Sequence, residues 1–251
     1  MKELYWNVCE SCSGKGKKYR KIQKKAKLQY KQANEAFLKN PLENSEPIPL
    51  KTSHYPCNSC GGSGLLKSLR FPEPNYDQFP EIAIIGLGIG GIALAVACLH
   101  RGIPFKIYER DQNFNTRSQG YGLTLQQASK ILKSFGIEKL TEGIVSTRHI
   151  VYDLEGTVLG EWGFRKWQPK EDKLNIKRSN IHIARQGLRL ALINQLGAEN
   201  VINWNHQFID FKTNDNNKYT LDFLVDGKIK QVKADLIVGA DGIRSSVRQQ
   251  L

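Results

Sequence analysis

A run of glycines at residues 86–91 constrains this chain more than any other part of its sequence. An apolar segment, Ile82–Ile85, precedes the glycines and predicts a buried strand. Gly86, Gly88 and Gly91 then follow at the spacing G-x-G-x-x-G. In this pattern the first glycine permits a tight turn, the second lets a pyrophosphate approach the backbone, and the third lets a helix pack close to the strand. The spacing predicts a phosphate-binding loop, although alone it also fits a glycine-rich turn in another α/β protein.

The residues after the glycines complete a βαβ unit. Ile92–Leu99 has the length and composition of a helix, and Phe105–Tyr108 predicts a second strand that ends in Glu109. The helix N-terminus offers N–H groups and a positive dipole end to phosphates. Glu109 lies at the distance at which a carboxylate accepts hydrogen bonds from ribose hydroxyls. Together these features predict a dinucleotide site in a Rossmann-like α/β fold.

Four of the five cysteines form two copies of the pattern C-x-x-C-x-G-x-G, at residues 9–16 and 57–64. Two cysteines three residues apart can present both sulfurs to one metal, and two such pairs complete a tetrahedral site. The pattern therefore predicts a structural zinc ion. Its four ligands would be Cys9, Cys12, Cys57 and Cys60. Two disulfides are the alternative, but thiols in a cytosolic chain stay reduced, which favours zinc.

The two cysteine motifs resemble the zinc region of DnaJ-type chaperones. That region carries four copies of the motif and two zinc ions, whereas this chain has two copies and one expected zinc. The resemblance is limited to these two eight-residue motifs. Peptide-binding chaperone activity is therefore not implied.

The basic charge of the chain is concentrated in its N-terminal part. Residues 1–70 contain 14 Lys and Arg against 5 Asp and Glu, a net charge of +9, while the other 181 residues carry only +4. Between the cysteine motifs an apolar stripe recurs at steps of three and four and predicts one helix, ended by Asn40-Pro41. The members of this stripe are Tyr19, Ile22, Ala26, Tyr30, Ala33 and Phe37. The lysines on its other faces predict a solvated surface or a contact with RNA or an acidic partner, and the segment shows no interleaving of aromatic and basic residues of the RNA-binding kind.

Length and composition set the expected domain organisation. The chain has room for a small module and one medium-sized domain. We expect a zinc-binding module with a basic helix in residues 1–70, a linker in residues 71–80 and a nucleotide-binding domain in residues 81–251. No apolar run has membrane-spanning length and the N-terminus lacks the apolar core of a signal peptide, which predicts a cytoplasmic protein.

Three segments in the second half predict further elements. Residues 149–163 alternate around the dipeptide Glu155-Gly156 and predict a hairpin that begins the sheet of a substrate domain. Arg185 stands at the start of a helix with leucines at steps of four. Residues 201–238 predict a meander of strands.

Two further motifs carry a resemblance to a known family. The strand ending in Glu109-Arg110 is followed by R-x-x-G-x-G-x-x-L, which begins at Arg117. The chain later reads G-A-D-G-x-x-S-x-V-R, with Asp241 and Gly242 at its centre. In this order the motifs resemble the N-terminal part of the FAD-dependent aromatic hydroxylases, the single-component flavin monooxygenases typified by para-hydroxybenzoate hydroxylase. The resemblance spans about residues 80–251.

The resemblance implies FAD as cofactor, NAD(P)H as co-substrate, and O₂-dependent hydroxylation or epoxidation of a small organic substrate, aromatic compounds included. It implies a Rossmann-like FAD-binding domain with a partial β-sheet substrate domain. The implied cofactor-binding residues are Gly86, Gly88, Gly91, Glu109, Arg110, Arg117, Arg185, Asp241 and Gly242. Arg110 would lie over the adenine and Arg185 against the flavin. No side chain stands out as an acid–base catalyst.

The family has a third motif, G-D-A-A-H, which contacts the ribityl chain and pyrophosphate, and this sequence has no counterpart to it. The sequence therefore corresponds to the first part of such an enzyme, so we expect FAD binding and turnover to be weakened. Two alternatives stay open. One is an NAD-dependent reductase, and the other is a non-catalytic zinc-dependent module that binds RNA or protein and is fused to a vestigial nucleotide-binding fold.

Overall fold

The computed structural model describes residues 4–116, 121–126, 128–146, 149–162, 180–197, 201–214, 216 and 218–251. The chain forms two compact units. Unit 1 comprises Met1–Asn7 with Lys67–Leu251, and unit 2 comprises Val8–Leu66. The domain boundaries expected at residues 70 and 80 stay a prediction.

The strands and helices are numbered here in chain order. The strands are β1 (Tyr5–Val8), β2 (Lys17–Tyr19), β3 (His54–Pro56), β4 (Leu65–Ser68), β5 (Ile82–Ile85), β6 (Phe105–Tyr108), β7 (Gly122–Leu125), β8 (Ile144–Ser146), β9 (His149–Tyr152), β10 (Val158–Trp162), β11 (Asn180–Ala184), β12 (Ile202–Asn203), β13 (Gln207–Thr213), β14 (Tyr219–Val225), β15 (Lys228–Ala234) and β16 (Leu236–Gly239). The helices are α1 (Lys24–Lys39), α2 (Ile89–His100), α3 (Ala128–Ile131), α4 (Arg185–Ile193) and α5 (Ser246–Gln249). Among these residues, no helix has the length and the apolarity that crossing a membrane requires.

Unit 1 is organised around a parallel sheet with the strand order β12-β6-β5-β16. The central strand β5 pairs with β6 on one side and with β16 on the other. All four residues of β5 are buried, which is typical of a parallel strand covered on both faces. Helix α2 connects β5 to β6, so the predicted βαβ unit is confirmed. The helix begins three residues earlier than Ile92, because Gly88 serves as its N-cap.

The two faces of this sheet belong to two hydrophobic clusters, because successive side chains of a strand point to opposite faces. Ile82 and Ile84 pack in one cluster with α2 and α4, and the fully buried Ile92 is among its members. Ala83 and Ile85 pack in the other cluster with residues of the β13–β14–β15 sheet. Both faces of β5 are therefore covered, and the carboxyl ends of the parallel strands lie between the two clusters.

The antiparallel elements of unit 1 agree with most of the predictions from sequence. The hairpin expected at residues 149–163 is formed by β9 and β10, with Gly156 at its turn at a φ of +84°. Strands β13, β14 and β15 form the expected meander. The meander prediction is wrong at both of its ends. Residues 202–203 form β12, which pairs in parallel with β6, and residues 236–238 belong to β16, which pairs in parallel with β5, so both segments extend the central sheet. A further antiparallel sheet has the order β7-β11-β8, and β11 leads directly into α4.

Unit 2 contains the two cysteine motifs, the two-stranded sheet β2-β3 and helix α1. The single helix predicted from Tyr19 to Phe37 is wrong at its start. Tyr19 instead pairs with His54 in the β2-β3 sheet, and the helix begins at Lys24. The cause is a competing set of hydrogen bonds, since the pairing with β3 satisfies the backbone of residues 17–19. No residue of α1 is buried.

Candidate functional site

The carboxyl ends of β5, β6 and β16 open into a cleft of about 380 Å³. This is the edge at which ligands bind in open α/β sheets. The cleft brings together seven of the nine cofactor-binding residues expected from sequence, namely Gly86, Gly88, Glu109, Arg110, Arg185, Asp241 and Gly242. Gly91 lies behind the cleft wall, where it is buried. Arg117 lies outside the residues that the structure describes.

The glycines of the loop differ in what an added Cβ would contact. Gly86 has a φ of +104°, and a Cβ at this position would lie 2.6 Å from the carbonyl oxygen of Ala240. A Cβ on Gly91 would lie 2.0 Å from the carbonyl oxygen of Gly86, so helix α2 could not approach the loop as it does. Gly88 differs, because a Cβ there would meet no described atom within 4 Å. The fold needs Gly86 and Gly91, whereas the space beside Gly88 in the cleft is open.

Glu109 is the buried carboxylate at the end of β6. Its Oε2 accepts a hydrogen bond from the N–H of Leu87 at 2.7 Å, and its Oε1 accepts one from the N–H of Asp111 at 3.1 Å. These bonds fix the carboxylate in the cleft wall. A carboxylate offers about four lone-pair sites, so Glu109 keeps capacity to accept a hydroxyl of a ligand.

Arg189 is a cleft residue that the sequence analysis missed. Its side chain is buried, and its Nε donates a hydrogen bond of 2.9 Å to the carbonyl oxygen of Leu87. Its guanidinium carbon lies 5.1 Å from the ring centroid of Phe114 and 5.9 Å from that of Trp204. Because Glu109 binds the N–H of Leu87, the loop residue is held from both sides. The spacing of four residues from Arg185 was the available signal, since residues four apart share a helix face.

Arg185 begins α4 and lies beside the start of β7. Its guanidinium donates a hydrogen bond to the hydroxyl of Tyr121, and its central carbon lies 5.3 Å from the ring centroid of the same tyrosine. Its backbone N–H donates to the carbonyl of Tyr121 at 3.1 Å. Arg110 and Arg244 are exposed at the cleft. Four arginines therefore line the cleft, which suits an anionic ligand.

Asp241 follows β16 at the opposite wall of the cleft. Its Oδ2 accepts hydrogen bonds from the N–H groups of Ser246 at 2.7 Å and Val247 at 3.2 Å. The Oγ of Ser245 accepts from the N–H of Arg248 at 3.0 Å and so caps the N-terminus of helix α5. The Oδ1 of Asp241 is buried and has no hydrogen-bond partner among the described residues. A buried carboxylate oxygen without a donor is rare, so this atom suits a donor of a bound ligand.

His206 lies in the cleft wall. Its Nδ1 lies 2.7 Å from the carbonyl oxygen of Trp204, and its Nε2 lies 3.3 Å from the Nζ of Lys230. A lysine ammonium donates and a carbonyl accepts, so these two contacts suit an imidazole that donates from Nδ1 and accepts at Nε2. The neighbouring Tyr108 is buried, and burial with the nearby Glu81 carboxylate raises the pKa of Tyr108 to about 12.

The four cysteines of unit 2 form a second candidate site. Their sulfur atoms all lie within 4.8 Å of one another, with 4.0 Å between the Sγ atoms of Cys9 and Cys57 and 3.9 Å between those of Cys12 and Cys60. A disulfide needs a sulfur–sulfur distance of about 2.05 Å, so neither pair is bonded. Tetrahedral zinc at about 2.3 Å from each sulfur would place sulfurs about 3.8 Å apart. The cluster has the dimensions of a tetrahedral metal site.

The two cysteine motifs make equivalent contacts with each other. The N–H of Cys9 donates to the carbonyl of Gly64 at 2.8 Å, and the N–H of Cys57 donates to the carbonyl of Gly16 at 2.9 Å. Each of these glycines also donates to a sulfur, Gly16 to Cys12 at 3.3 Å and Gly64 to Cys60 at 3.2 Å. A Cβ on Gly16 or Gly64 would lie within about 2.5 Å of a carbonyl oxygen of the other motif. The glycines of the repeat therefore permit the close approach and supply donors to the sulfurs.

Comparison with known proteins agrees with the cleft geometry. The chain is 32% identical over 182 residues to the chloroplastic zeaxanthin epoxidase of Oryza sativa subsp. japonica, an alignment that covers 68% of this chain and 26% of that protein. It is 27% identical over 180 residues to the 6-hydroxynicotinate 3-monooxygenase of Pseudomonas fluorescens, covering 69% of this chain and 43% of that protein. The solved structure of tetracycline destructase Tet(51) is similar with a TM-score of 0.50 and 25% identity, covering 69% of this chain and 41% of that one.

The chain spans less than half the length of each of these relatives. The family model described as FAD binding domain matches residues 80–251. The matched residues contain the glycine loop, Glu109, Arg185 and the Asp241-Gly242 turn, which the fold brings into one cleft. The chain therefore belongs to the FAD binding domain family.

Proposed function

We propose that the cleft of unit 1 binds FAD and that the chain serves an NAD(P)H-dependent flavin monooxygenase reaction on a small organic substrate. One observation carries the proposal: a single cleft contains an open position at Gly88, a fixed carboxylate at Glu109, and a buried oxygen of Asp241 to which no described residue donates. Relatives named as an epoxidase and as a monooxygenase support the reaction class. An NAD-dependent reductase is less well supported, because the matched family binds FAD.

Different residues of the cleft would bind different parts of the cofactor. Gly88 would leave room for the pyrophosphate at the N-terminus of α2, where the first N–H groups of a helix have no intrahelical acceptor. Glu109 would accept hydrogen bonds from the adenosine ribose. Arg189 would keep the Leu87 peptide in place, and the exposed Arg110 would lie against the adenine.

Arg185 and Asp241 would complete the cofactor site on the flavin side. The guanidinium of Arg185 would offset negative charge, and the free Oδ1 of Asp241 would accept a hydrogen bond from a ligand hydroxyl. Bound FAD would take electrons from NAD(P)H and activate O₂ for transfer of one oxygen atom to the substrate. The protein's own part is to position the cofactor and the substrate.

The proposal is tested by flavin binding and by substitution of Glu109. We expect the purified chain to quench FAD fluorescence on titration and to oxidise NAD(P)H with O₂ consumption when a substrate is supplied. Glu109→Ala should weaken FAD binding at least about 10-fold, because it removes a charged acceptor. Glu138→Ala is the matched control, because this exposed glutamate is paired with Lys67 away from the cleft. Absence of FAD binding by the unsubstituted chain, or equal binding by both variants, would reject the cleft as a flavin site.

We also propose that Cys9, Cys12, Cys57 and Cys60 bind one structural Zn²⁺. The sulfur distances of 3.9–4.0 Å and the backbone N–H donors to Cys12 and Cys60 support the assignment. A site closed by four thiolates has no position for a catalytic water, so the metal would stabilise unit 2. Metal analysis of the purified chain should give one zinc per chain. A metal-free chain with an unchanged melting curve would reject the assignment.

A further inference from the structure

The four cysteines of the unit 2 cluster differ in their access to solvent. Cys9, Cys12 and Cys57 are buried, whereas Cys60 is partly exposed. The sulfur of Cys60 lies 3.9 Å from that of Cys12, which belongs to the other motif. One sulfur that a dissolved reagent can reach therefore lies beside a second sulfur that is shielded from it.

This arrangement meets the two requirements for oxidation of a cysteine pair. The reaction of a cysteine with peroxide depends on its thiolate character and its exposure, and the sulfenic acid that results condenses with a neighbouring thiol. Bound zinc would keep all four cysteines as thiolates. A sulfur–sulfur bond of about 2.05 Å would require Cys12 and Cys60 to approach each other by roughly 1.9 Å, a distance within the reach of side-chain rotation.

Backbone hydrogen bonds hold the two motifs together independently of the metal. The N–H of Cys9 donates to the carbonyl of Gly64, and the N–H of Cys57 donates to the carbonyl of Gly16. Because these bonds do not involve the sulfurs, Cys12 and Cys60 stay neighbours while the sulfurs change their bonding. A disulfide between the two motifs is therefore favoured over one within a motif.

We propose that Cys60 and Cys12 are a peroxide-sensitive pair, and that their oxidation to a disulfide releases the zinc ion of unit 2. The inference rests on the four-thiolate zinc site proposed above, and it is independent of flavin binding in unit 1. The competing view is an inert zinc site that only stabilises the fold, as is typical of buried cysteines. The partial exposure of Cys60 is the observation that favours a reactive site.

The oxidant is hydrogen peroxide, which accepts two electrons. The thiolate of Cys60 attacks one peroxide oxygen, the O–O bond breaks and hydroxide leaves, which produces a sulfenic acid on Cys60. The thiolate of Cys12 then attacks that sulfur, the S–O bond breaks and a second hydroxide leaves. Each of the two sulfurs has lost one electron. Zinc keeps only Cys9 and Cys57 as ligands and dissociates, because a structural site needs four.

The test follows zinc and disulfides in the full zinc-loaded chain during treatment with H₂O₂. A chromogenic chelator measures the zinc that is released, and mass spectrometry after thiol alkylation and trypsin digestion locates the disulfides. Trypsin leaves the first cysteine pair in the peptide of residues 3–15 and the second pair in the peptide of residues 52–67. A disulfide between Cys12 and Cys60 joins these peptides, whereas a disulfide within a motif leaves them separate.

We expect loss of about one zinc ion per chain in parallel with the joined peptides, whose fragmentation should identify Cys12 and Cys60 as the linked pair. Dithiothreitol with added Zn²⁺ should restore the metal. Dimedone, which traps sulfenic acids, should label Cys60. Cys98→Ala is the matched control, because Cys98 is buried in α2 outside the cluster, and this variant should release zinc as the unsubstituted chain does.

Three results would overturn the proposal: zinc retained with both peptides separate, disulfides confined to single motifs, or dimedone on a cysteine other than Cys60. Zinc content is measured before peroxide is added, so that failure of the underlying metal site is recognised separately. A chain without zinc at that stage would reject the zinc assignment and the release step with it.

Discussion

Three glycines in the phosphate-binding loop give a graded test, because the structure assigns each a different consequence when it is replaced by alanine. The new Cβ of Gly91→Ala would lie 2.0 Å from the carbonyl oxygen of Gly86, whereas ordinary van der Waals contact begins at 3.4 Å. Helix or loop must therefore shift by more than 1 Å. Overpacking of this kind costs roughly 1–3 kcal/mol, which corresponds to a fall in Tm of about 2–12 °C.

Gly88→Ala and Gly90→Ala both place the new Cβ in open space, so neither should disturb the fold. Gly90 lies in the first turn of α2 and is exposed outside the cleft, so its replacement should raise the stability by roughly 0.5–1 kcal/mol. Gly88 lines the cleft. Its replacement should change the stability by less than about 1 kcal/mol but weaken FAD binding roughly 10- to 150-fold, the worth of a charged hydrogen bond.

The assay compares Tm without ligand and FAD affinity from fluorescence quenching for the three variants. The expected pattern is a low Tm for Gly91→Ala, weak FAD binding with an unchanged Tm for Gly88→Ala, and neither effect for Gly90→Ala. Gly90→Ala is the matched control for adding a methyl group to this segment. FAD binding by Gly88→Ala equal to that of the unsubstituted chain, or an unchanged Tm for Gly91→Ala, would contradict these assignments.

Three further predictions concern other parts of the molecule. Arg189→Met should lower FAD affinity about 10-fold and reduce the Tm, because the Leu87 carbonyl loses its donor. Arg244 is an exposed residue of the same cleft, so Arg244→Met should leave the Tm unchanged. FAD titration and thermal melting distinguish the two variants. Cys57→Ser should abolish stoichiometric zinc binding and lower the melting temperature of unit 2. A chelator should have the same effects on the unsubstituted chain. An unchanged zinc content of Cys57→Ser would contradict the four-thiolate site. Burial and the neighbouring Arg101 lower the pKa of His100 to about 4. In the unfolded chain this histidine binds a proton near pH 6.5, whereas in the folded chain it stays neutral down to about pH 4. The contribution of His100 to the free energy of unfolding is therefore fully present above pH 6.5. It falls by up to about 3 kcal/mol as the pH drops to 4. His100→Leu should flatten the chemical-denaturation profile over that range, and a variant with the same acid-dependent loss would disprove the role of His100.

Local patterns in the sequence were sufficient to predict the centre of the fold. The βαβ unit follows from an apolar run, glycine spacing and a terminal acid, all within 30 residues. The spacing of the two Cys-x-x-Cys repeats likewise predicts that four sulfur atoms lie close enough to bind one metal ion. The prediction of the βαβ unit succeeds because short-range sterics at Gly86 and Gly91 leave few alternatives.

What the sequence could not predict depends on contacts between distant segments. Arg189 reaches Leu87 across 102 positions, so only the packing of α4 on α2 reveals the contact. Tyr19 has helix spacing from Ile22, yet it joins a strand because His54 supplies the pairing partner. Residues 202–203 have the composition of a meander strand, but they pair in parallel with the edge of β6. In each case a tertiary hydrogen bond outweighs the local pattern.

The central claim is that the cleft at the ends of β5, β6 and β16 recognises the adenosine diphosphate portion of FAD. It is tested most directly by comparing FAD, ADP and FMN as ligands in one thermal-shift series with the full chain. We expect FAD and ADP to raise the Tm and ADP to compete with FAD, while FMN, which lacks the adenosine half, has little effect. Protection by FMN equal to that by FAD, with no effect of ADP, would contradict the account.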